Sequence, residues 1–158
     1  MSEPKFILDV HLGKLARYLR MLGFDTLYEN NYQDPEIVKI AEAEKRIVLT
    51  CDLELLKIKA VKQGLLIRSR NPVEQLTEVI LHFNIYQQIK PFYRCLVCNG
   101  IIIKVAKETI VNRLPPETKL YYDEFYQCTA CDKVYWKGSH HLKMKDFINK
   151  LGKKSPNI

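Results

Sequence analysis

The chain has 158 residues, of which 47% are hydrophobic and 27% charged, a composition typical of one folded domain or of a small domain with an appended module. No apolar run approaches the roughly 18 residues that span a bilayer, and the first ten residues lack the order of a secretory signal, so we expect a cytoplasmic protein with no membrane segment. The formal charge of +7 favours an anionic partner, and the excess is C-terminal: residues 91–158 hold 12 Lys and Arg against 6 Asp and Glu.

Short apolar runs alternate with amphipathic segments from residue 5 to about residue 84. The apolar runs predict strands over residues 5–10, 25–28, 46–50 and 64–68. Helices are predicted over residues 12–22 with Gly23 as C-cap, from an N-cap at Asp34, after Asp52, and from an N-cap at Asn71. Strands separated by helices indicate right-handed parallel units, and hence a doubly wound, mainly parallel sheet with helices on both faces.

The residue pattern of the sequence changes near residue 90, where the helical period of apolar residues stops and paired cysteines begin. We therefore predict an α/β domain over residues 1–90, a small β-rich zinc ribbon over residues 91–145 and a basic C-terminal tail over residues 146–158. Residues 150–158 are expected to be solvated and frayed.

The cysteine pairs form the pattern C-x2-C-x29-C-x2-C. Two knuckles of this kind complete a tetrahedral thiolate shell, so we predict a zinc ion bound by Cys95, Cys98, Cys128 and Cys131. Four thiolates leave no open position for water, which indicates a structural metal. The 29 residues between the pairs exceed the usual spacing of about 15–20, and we expect an inserted loop or short helix over residues 115–125.

Two carboxylates follow predicted strands. Asp9 follows the first strand and Asp52 the third, and the carboxyl ends of parallel strands lie at one sheet edge. Each carboxylate has two interpretations, a helix N-cap or a metal ligand. The cap interpretation is strong for Asp52, because a helix starts at once, and weak for Asp9, because two residues intervene. If the first and third strands are neighbours, both side chains could share one cation.

That edge is also predicted to be basic. A Mg²⁺ or Mn²⁺ ion bound by Asp9 and Asp52 would present a water nucleophile to a phosphodiester, with Glu36 as a further acidic candidate. The cations expected to hold flanking phosphates are Lys14, Arg17, Arg68 and Arg70, although a solvated basic face is the plainer interpretation.

Aromatic residues over 121–126 and at 135–136 have two interpretations as well. They could stack on unpaired bases, or they could pack around the zinc. His140 and His141 are predicted to be a surface or interdomain pair, one of which could contact a phosphate, and Cys51 to be a small buried or half-buried residue without a nucleophilic role.

Four segments resemble the Mut-seven C-terminal RNase domain family: 6-FILDVHLGKLARYLRMLGFDT-26, 48-VLTCDLELL-56, 93-YRCLVCNG-100 and 124-EFYQCTACDKVYWKGSHH-141. The resemblance implies a PIN-like fold followed by a zinc ribbon, with single-strand-specific, metal-dependent ribonuclease activity. Asp9 and Asp52 match its acidic positions. Cys51 stands where the family often has Arg, and residues 68–71 lack the acid that commonly follows the fourth strand. These departures predict weaker metal binding, and activity that is either low or dependent on Glu36 or Glu54.

Two functions from different classes follow. The first is a ribonuclease that hydrolyses single-stranded RNA, with a ribbon that aids substrate or partner binding. The alternative is a non-catalytic adaptor that binds RNA or the ribosome, or another protein, through the basic ribbon. A receiver-like phosphoacceptor is weaker, because the doubled acid at the end of the first strand is missing. The sequence leaves the oligomeric state open.

Overall fold

The computed structural model of this chain describes residues 3–154, apart from the side chains of His140 and Lys154. Its central sheet is formed by β1 (Lys5–Leu8), β2 (Asp25–Leu27), β3 (Ile47–Thr50) and β4 (Gly64–Leu66). The four strands are parallel and lie in the order β2-β1-β3-β4. The predicted parallel sheet is confirmed, each strand is shorter than predicted, and β1 and β3 are neighbours.

Helices cover both faces of this sheet: α1 (Gly13–Met21), α2 (Asp34–Glu44), α3 (Leu53–Leu56) and α4 (Pro72–Phe83). Phe6 and Leu8 face a core formed with α1 and α4, whereas Ile7 between them faces a core formed with α2 and α3. This alternation follows from the two-residue period of a strand and confirms the doubly wound architecture. None of the helices in residues 3–154 is long and apolar enough to span a membrane.

Short polar residues set where several helices begin and end. Asn71 caps α4, because its side chain accepts hydrogen bonds from the backbone amides of Val73 and Glu74, as predicted. Gly23 follows α1 with φ +91°, and a Cβ there would lie 2.3 Å from the carbonyl oxygen of Lys90. The prediction of Asp34 as N-cap is wrong by one residue, since the extended residue before α2 is Gln33 and Asp34 already lies inside the helix.

The second sheet is antiparallel and consists of β5 (Ile102–Val105), β6 (Phe125–Cys128) and β7 (Val134–Tyr135) in that order. The insertion between β5 and β6 contains α5 (Lys107–Ile110) and α6 (Pro116–Tyr121), which confirms a short helix within residues 115–125. The insertion buries its own small core, in which Ile110 and Leu114 pack against Phe125. The extra residues therefore add a folded lobe to the ribbon.

The C-terminal helix α7 (Ser139–Lys154) packs against the α/β domain. Phe147 stacks on Tyr18 of α1 with ring centroids 6.0 Å apart, and Leu151 is buried in the core that α1 and α4 form. The expectation of a frayed tail is therefore wrong for residues 150–154, because apolar side chains at helical spacing dock this helix. Residues 155–158 lie outside the described part of the chain.

The division of the chain into residues 1–90, 91–145 and 146–158 stays a prediction. Helix α7 crosses the boundary between the second and third of these segments.

A buried polar network joins the zinc ribbon to the parallel sheet. Arg20 on α1 donates to the carbonyl oxygens of Leu96 and Val97 in the first cysteine knuckle, at 3.1 Å each. Asn99 donates to Asp25 at 2.8 Å and accepts from the backbone amide of Thr26 at 2.9 Å. Because these groups are buried, each bond prevents the cost of leaving a desolvated polar atom unpaired. The network fixes the first knuckle against the start of β2.

Asp25 is the anionic centre of this network. Its carboxylate accepts from Asn99 and pairs with Arg46 at 2.9 Å, and Arg94 lies 3.7 Å from its second oxygen. Burial alone would raise the pKa of this carboxyl, but the bonds from Arg46 and Asn99 and the charges of Arg46 and Arg94 outweigh it and lower that pKa. The ionised form is therefore stabilised by folding.

We expect Asp25→Asn to lower the free energy of unfolding by roughly 2–3 kcal/mol at about pH 7, because the buried Arg46 loses the more buried of its two counter-charges and keeps only Glu44. A lowered pKa in the folded state stabilises the protein above the ordinary pKa of about 3.9, and this contribution is lost as the pH falls through the lowered pKa. Urea unfolding at several pH values would therefore show the deficit at neutral pH and lose it in acid. Asp123→Asn is the control, because that exposed carboxylate pairs only at the surface with Lys107.

Candidate functional site: a thiolate metal centre and an acidic sheet edge

The four predicted zinc ligands converge at one point of the ribbon. The sulfur atoms of Cys95, Cys98, Cys128 and Cys131 all lie within 4.8 Å of one another. The Cys95 and Cys131 sulfurs are 3.6 Å apart, and those of Cys98 and Cys128 are 3.4 Å apart. Zinc–sulfur bonds of about 2.3 Å in a tetrahedron place sulfurs about 3.8 Å apart, so this shell is the size that zinc requires.

Backbone geometry and hydrogen bonds prepare the sulfurs for a cation. Asn99 and Asp132, which follow the two cysteine pairs, have positive φ of 71° and 66°, so each chain turns sharply after its knuckle. Backbone amides of Gly100 and Ala130 donate to the sulfurs of Cys98 and Cys128 at 3.4 and 3.3 Å. Such donors favour thiolate, which is the form that binds zinc, but at Cys98 burial and the neighbouring sulfurs outweigh the amide of Gly100 and raise the pKa.

Cys95 is the ligand at which the hydrogen bonds outweigh burial. Burial would raise its pKa, but hydrogen bonds from the hydroxyl of Tyr135 and from the amides of Cys98 and Val97 lower that pKa to about 7. The Tyr135 oxygen lies 3.0 Å from the Cys95 sulfur. Burial and the neighbouring sulfur raise the pKa of Tyr135, so its hydroxyl stays protonated and donates. Tyr135 therefore orients a ligand of the metal without binding the metal itself.

The space around the shell also fits a closed metal site. A Cβ on Gly100 would lie 2.8 Å from the sulfur of Cys128 and 2.9 Å from the Cβ of Ala130, so the backbone passes directly against the sulfurs. Four thiolates complete a tetrahedral shell without an open position for water or substrate. The four cysteines can thus bind a structural metal such as zinc.

The acidic edge lies at the carboxyl ends of β1 and β3. Asp9 is buried, with 6% of its surface exposed. One of its oxygens accepts from the backbone amide of His11 at 2.9 Å, and the other accepts from the hydroxyl of Thr50 and the amide of Cys51. Asp9 is therefore the N-cap of a 3₁₀ turn over Val10–Leu12, contrary to the weak cap expected from the sequence, and it also bridges β1 to β3.

Asp52 is exposed and caps α3, as predicted, since its side chain accepts from the amide of Glu54 at 2.9 Å. Thr50 connects the two acidic residues: its hydroxyl donates to Asp9 and accepts from the backbone amide of Asp52 at 3.0 Å. One threonine at the end of β3 thus holds the Asp9 carboxylate and the start of the Asp52 turn. The structure brings both acids to adjacent strand ends, each with a capping bond of its own.

The other candidate acids are engaged locally. Glu36 lies in the first turn of α2 and accepts from the amide of Gln33 at 3.2 Å, and Glu54 pairs with Lys57 at 3.1 Å. Within the described side chains, the cysteine quartet is the one set of three or more metal-ligating residues whose ligand atoms converge. A site at the acidic edge therefore has to use two carboxylates and water, which is usual for Mg²⁺.

Glu78 is an acid at this edge that the sequence interpretation missed. It lies on α4, and its two oxygens accept from the backbone amides of Arg68 and Ser69 at 3.1 and 2.7 Å. It is also close enough to Cys51 that burial, Asp9 and Glu78 together raise the pKa of that thiol, which keeps Cys51 neutral. Glu78 thus supplies a carboxylate after β4, where residues 68–71 have none. Its position one turn after Glu74 in a helix that starts at this edge could have indicated it.

The predicted phosphate-binding cations divide between two places. Arg68 and Arg70 are exposed in the segment after β4, next to the acidic edge. Lys14 is exposed in the first turn of α1, close to the same edge. Arg17, one turn further along α1, lines a groove between α1 and the ribbon. A basic path therefore extends from the acidic edge along α1 toward the ribbon.

Comparison with known proteins adds one finding. Neither the curated proteins nor the solved structures give a significant match. The family model described as Mut7-C RNAse domain matches residues 4–148, which include the parallel sheet, the acidic edge, the cysteine quartet and most of α7. This chain belongs to the Mut7-C RNAse domain family.

Proposed function

We propose that this chain is a metal-dependent ribonuclease that hydrolyses phosphodiester bonds of single-stranded RNA at the acidic edge. Membership of an RNase domain family supports a nuclease role. The observation that carries the proposal is the placement of Asp9 and Asp52 at the ends of adjacent strands, tied together through the hydroxyl of Thr50. Burial of a carboxylate costs free energy unless its oxygens are bonded. The hydrogen bonds to Asp9 fix the orientation of its carboxylate, so an oxygen of Asp9 would be held in place as a metal ligand.

The acidic edge fits a hard divalent cation. A carboxylate offers about four acceptor positions, of which Asp9 uses three, while Asp52 uses one in its cap. Both carboxylates therefore keep acceptor capacity. A bound Mg²⁺ or Mn²⁺ ion would supply an activated water and neutralise charge on the phosphodiester.

The residues of the chain divide the remaining tasks. Asp9 and Asp52 would hold the cation, and Thr50 keeps the Asp9 carboxylate oriented. Glu78 adds negative charge at the end of β4, in place of the earlier candidate Glu36. The cations expected to hold phosphates on either side of the scissile bond are Lys14, Arg17, Arg68 and Arg70. The zinc ribbon would stabilise the C-terminal half and aid the binding of RNA or a partner.

A non-catalytic RNA- or ribosome-binding adaptor is the second candidate. It is favoured by the capping bonds of both acids and by the basic charge of the C-terminal part, which remains about +4 after two negative charges are assigned to a Zn(Cys)₄ centre. A cytoplasmic location and a protein partner remain predictions from the sequence.

The two functions are separated by incubating the protein with an unstructured RNA oligonucleotide, with and without added MnCl₂ or MgCl₂. A ribonuclease would cleave only when the divalent ion is added, and would leave the same RNA intact within a duplex. A chelator is unsuitable as the negative control, because it would also remove a structural zinc. Binding without cleavage in every divalent ion tested would contradict the ribonuclease and favour the adaptor.

A further inference from the structure

A groove with a volume of about 930 Å³ lies between α1, the ribbon and α7. Its size is at the upper end of the range of roughly 300–1,000 Å³ that ligand clefts occupy. Aromatic side chains from separate elements line it, among them Tyr18 of α1, Tyr121 of α6, Trp136 just after β7 and Phe147 of α7. Tyr121 is 75% exposed, so a large aromatic face is open to a ligand at this groove.

The charge of the groove is positive. Four cationic residues line it, Arg17, Arg94, Lys133 and Lys143, against the carboxylate of Glu117. Arg94 also faces Asp25 at 3.7 Å, so the positive excess comes from the other three. A groove that combines this excess with aromatic faces complements a ligand that has both phosphates and flat rings. An acidic peptide would match the charge but would leave most of the aromatic surface without a planar partner.

Unsatisfied polar atoms occur at the same place. Among the described side chains, three buried nitrogen or oxygen atoms have no hydrogen-bond partner, and two of them are Nε of Arg94 and Nδ1 of His141. Both residues line the groove. Buried polar atoms are rarely unpaired in folded proteins, so such atoms indicate where a small rearrangement or a ligand completes the bonding. Burial and the charges of Lys137 and Lys145 lower the pKa of His141, so its ring is neutral near pH 7.

The groove is aligned with the acidic edge. Helix α1 begins near that edge at Gly13 and ends at Met21, which lines the groove. At 1.5 Å per residue the helix is about 12 Å long. Arg17 lines the groove, and Lys14 lies one turn closer to the acidic edge, on the same face of the helix. A strand that leaves the groove would therefore meet cationic side chains along the way to the two acids.

We propose that this groove anchors unpaired nucleotides of single-stranded RNA, with bases stacked on Tyr121 and Trp136 and phosphates bound by Arg17 and Lys143. The inference rests on the proposed function for the identity of the ligand as RNA. The anchor lies at a distance from the cleavage site, so it selects substrates long enough to reach both. Stacking is tolerant of sequence, and the groove should accept different unpaired segments.

Trp136 is the only tryptophan of the chain, so its fluorescence reports directly on the groove. Titration with a single-stranded RNA of about 12 nucleotides, without added Mg²⁺ or Mn²⁺, should change Trp136 emission, and a blunt duplex of the same length should not. We expect Tyr121→Ala to weaken the affinity by roughly fivefold or more. Leu120→Ala is the matched control, because Leu120 precedes Tyr121 on α6, is equally exposed and does not line the groove.

A second pair of variants tests the charge. Lys143→Met should weaken binding and reduce the slope of log K against log salt by about 0.7, the value for one phosphate contact to a single strand. Lys153→Met changes the net charge equally on α7, but Lys153 is exposed near the end of that helix and does not line the groove, and we expect little change in slope. Equal effects of Lys143→Met and Lys153→Met would overturn the groove as the phosphate contact.

The remaining outcomes are equally decisive. An unchanged Trp136 signal with every single-stranded RNA, together with a response to an acidic peptide, would overturn the proposal in favour of a protein ligand. Loss of the fluorescence response in Tyr121→Ala with affinity preserved in Leu120→Ala would support it. Because binding is measured without the catalytic ion, an active nuclease with no groove response contradicts only this inference. An inactive protein with the expected groove response contradicts only the proposed catalysis.

Discussion

Asp52→Asn is expected to reduce manganese-dependent cleavage of single-stranded RNA by about a hundredfold or more, while the protein stays folded. Asparagine caps a helix about as well as aspartate, so the bond to the amide of Glu54 can be kept. What the variant removes is the negative charge that would hold the cation. The measurement is the initial cleavage rate at saturating Mn²⁺, with circular dichroism and thermal unfolding recorded on the same preparation.

Asp9→Asn tests the same site but is expected to change stability as well as activity. An amide has one carbonyl oxygen, so it cannot accept both from Thr50 and Cys51 on one side and from the backbone amide of His11 on the other, and we expect a loss of about 1–3 kcal/mol in stability along with the activity. Glu42→Gln is the control for charge, since Glu42 is exposed on α2, two turns beyond the start of that helix. Wild-type cleavage by Asp52→Asn would show that the acidic edge is not the catalytic site.

Cys128→Ser is expected to abolish stoichiometric zinc binding and to unfold the ribbon. Cys128 is 1% exposed and belongs to a core of only three buried residues, with Cys95 and Ile102. Such a small core stabilises little by itself, whereas zinc contributes about 10–16 kcal/mol of apparent binding energy in zinc-finger peptides. Elemental analysis should give close to one zinc per wild-type chain and far less for the variant, with altered Trp136 fluorescence.

Cys51→Ser provides a matched control for this experiment. Cys51 is the cysteine outside the quartet, directly follows β3 and is far in sequence from the knuckles. It is exposed, so the prediction of a buried or half-buried position is wrong. Its replacement should leave the zinc content and the ribbon unchanged. Full zinc content in Cys128→Ser, or an equal loss in Cys51→Ser, would contradict the assignment of the four ligands.

The sequence predicts a structural feature correctly where the interactions that form it join residues only a few positions apart. The spacing of the cysteines predicted a shell that the structure confirms, because two residues between ligands fix a knuckle whatever its surroundings. Asn71 was recognised as a cap for the same reason: its bonds reach residues two and three positions away. The one-residue error at Asp34 is of the size expected for helix ends.

Contacts between residues that are far apart in the chain could not be predicted from the sequence. Glu78 reaches back to the end of β4. Asp25 pairs with Arg46, which precedes β3, and bonds to Asn99 of the ribbon, 74 positions after Asp25. The sequence predicts that Leu151 belongs to a solvated tail, because a single leucine among lysines gives no clear hydrophobic period. The structure shows that Leu151 is buried where α7 packs against the α/β domain.

The amino-acid sequence alone therefore determined the parallel α/β architecture, the ribbon with its four metal ligands, and the two acids that follow the strands, because hydrophobic period and ligand spacing act over short distances. Only the tertiary structure decided the strand order that makes Asp9 and Asp52 neighbours, the acid from α4 and the groove between α1, the ribbon and α7. These features depend on how whole elements pack, and packing is set by the sum of many weak contacts between residues far apart in the chain.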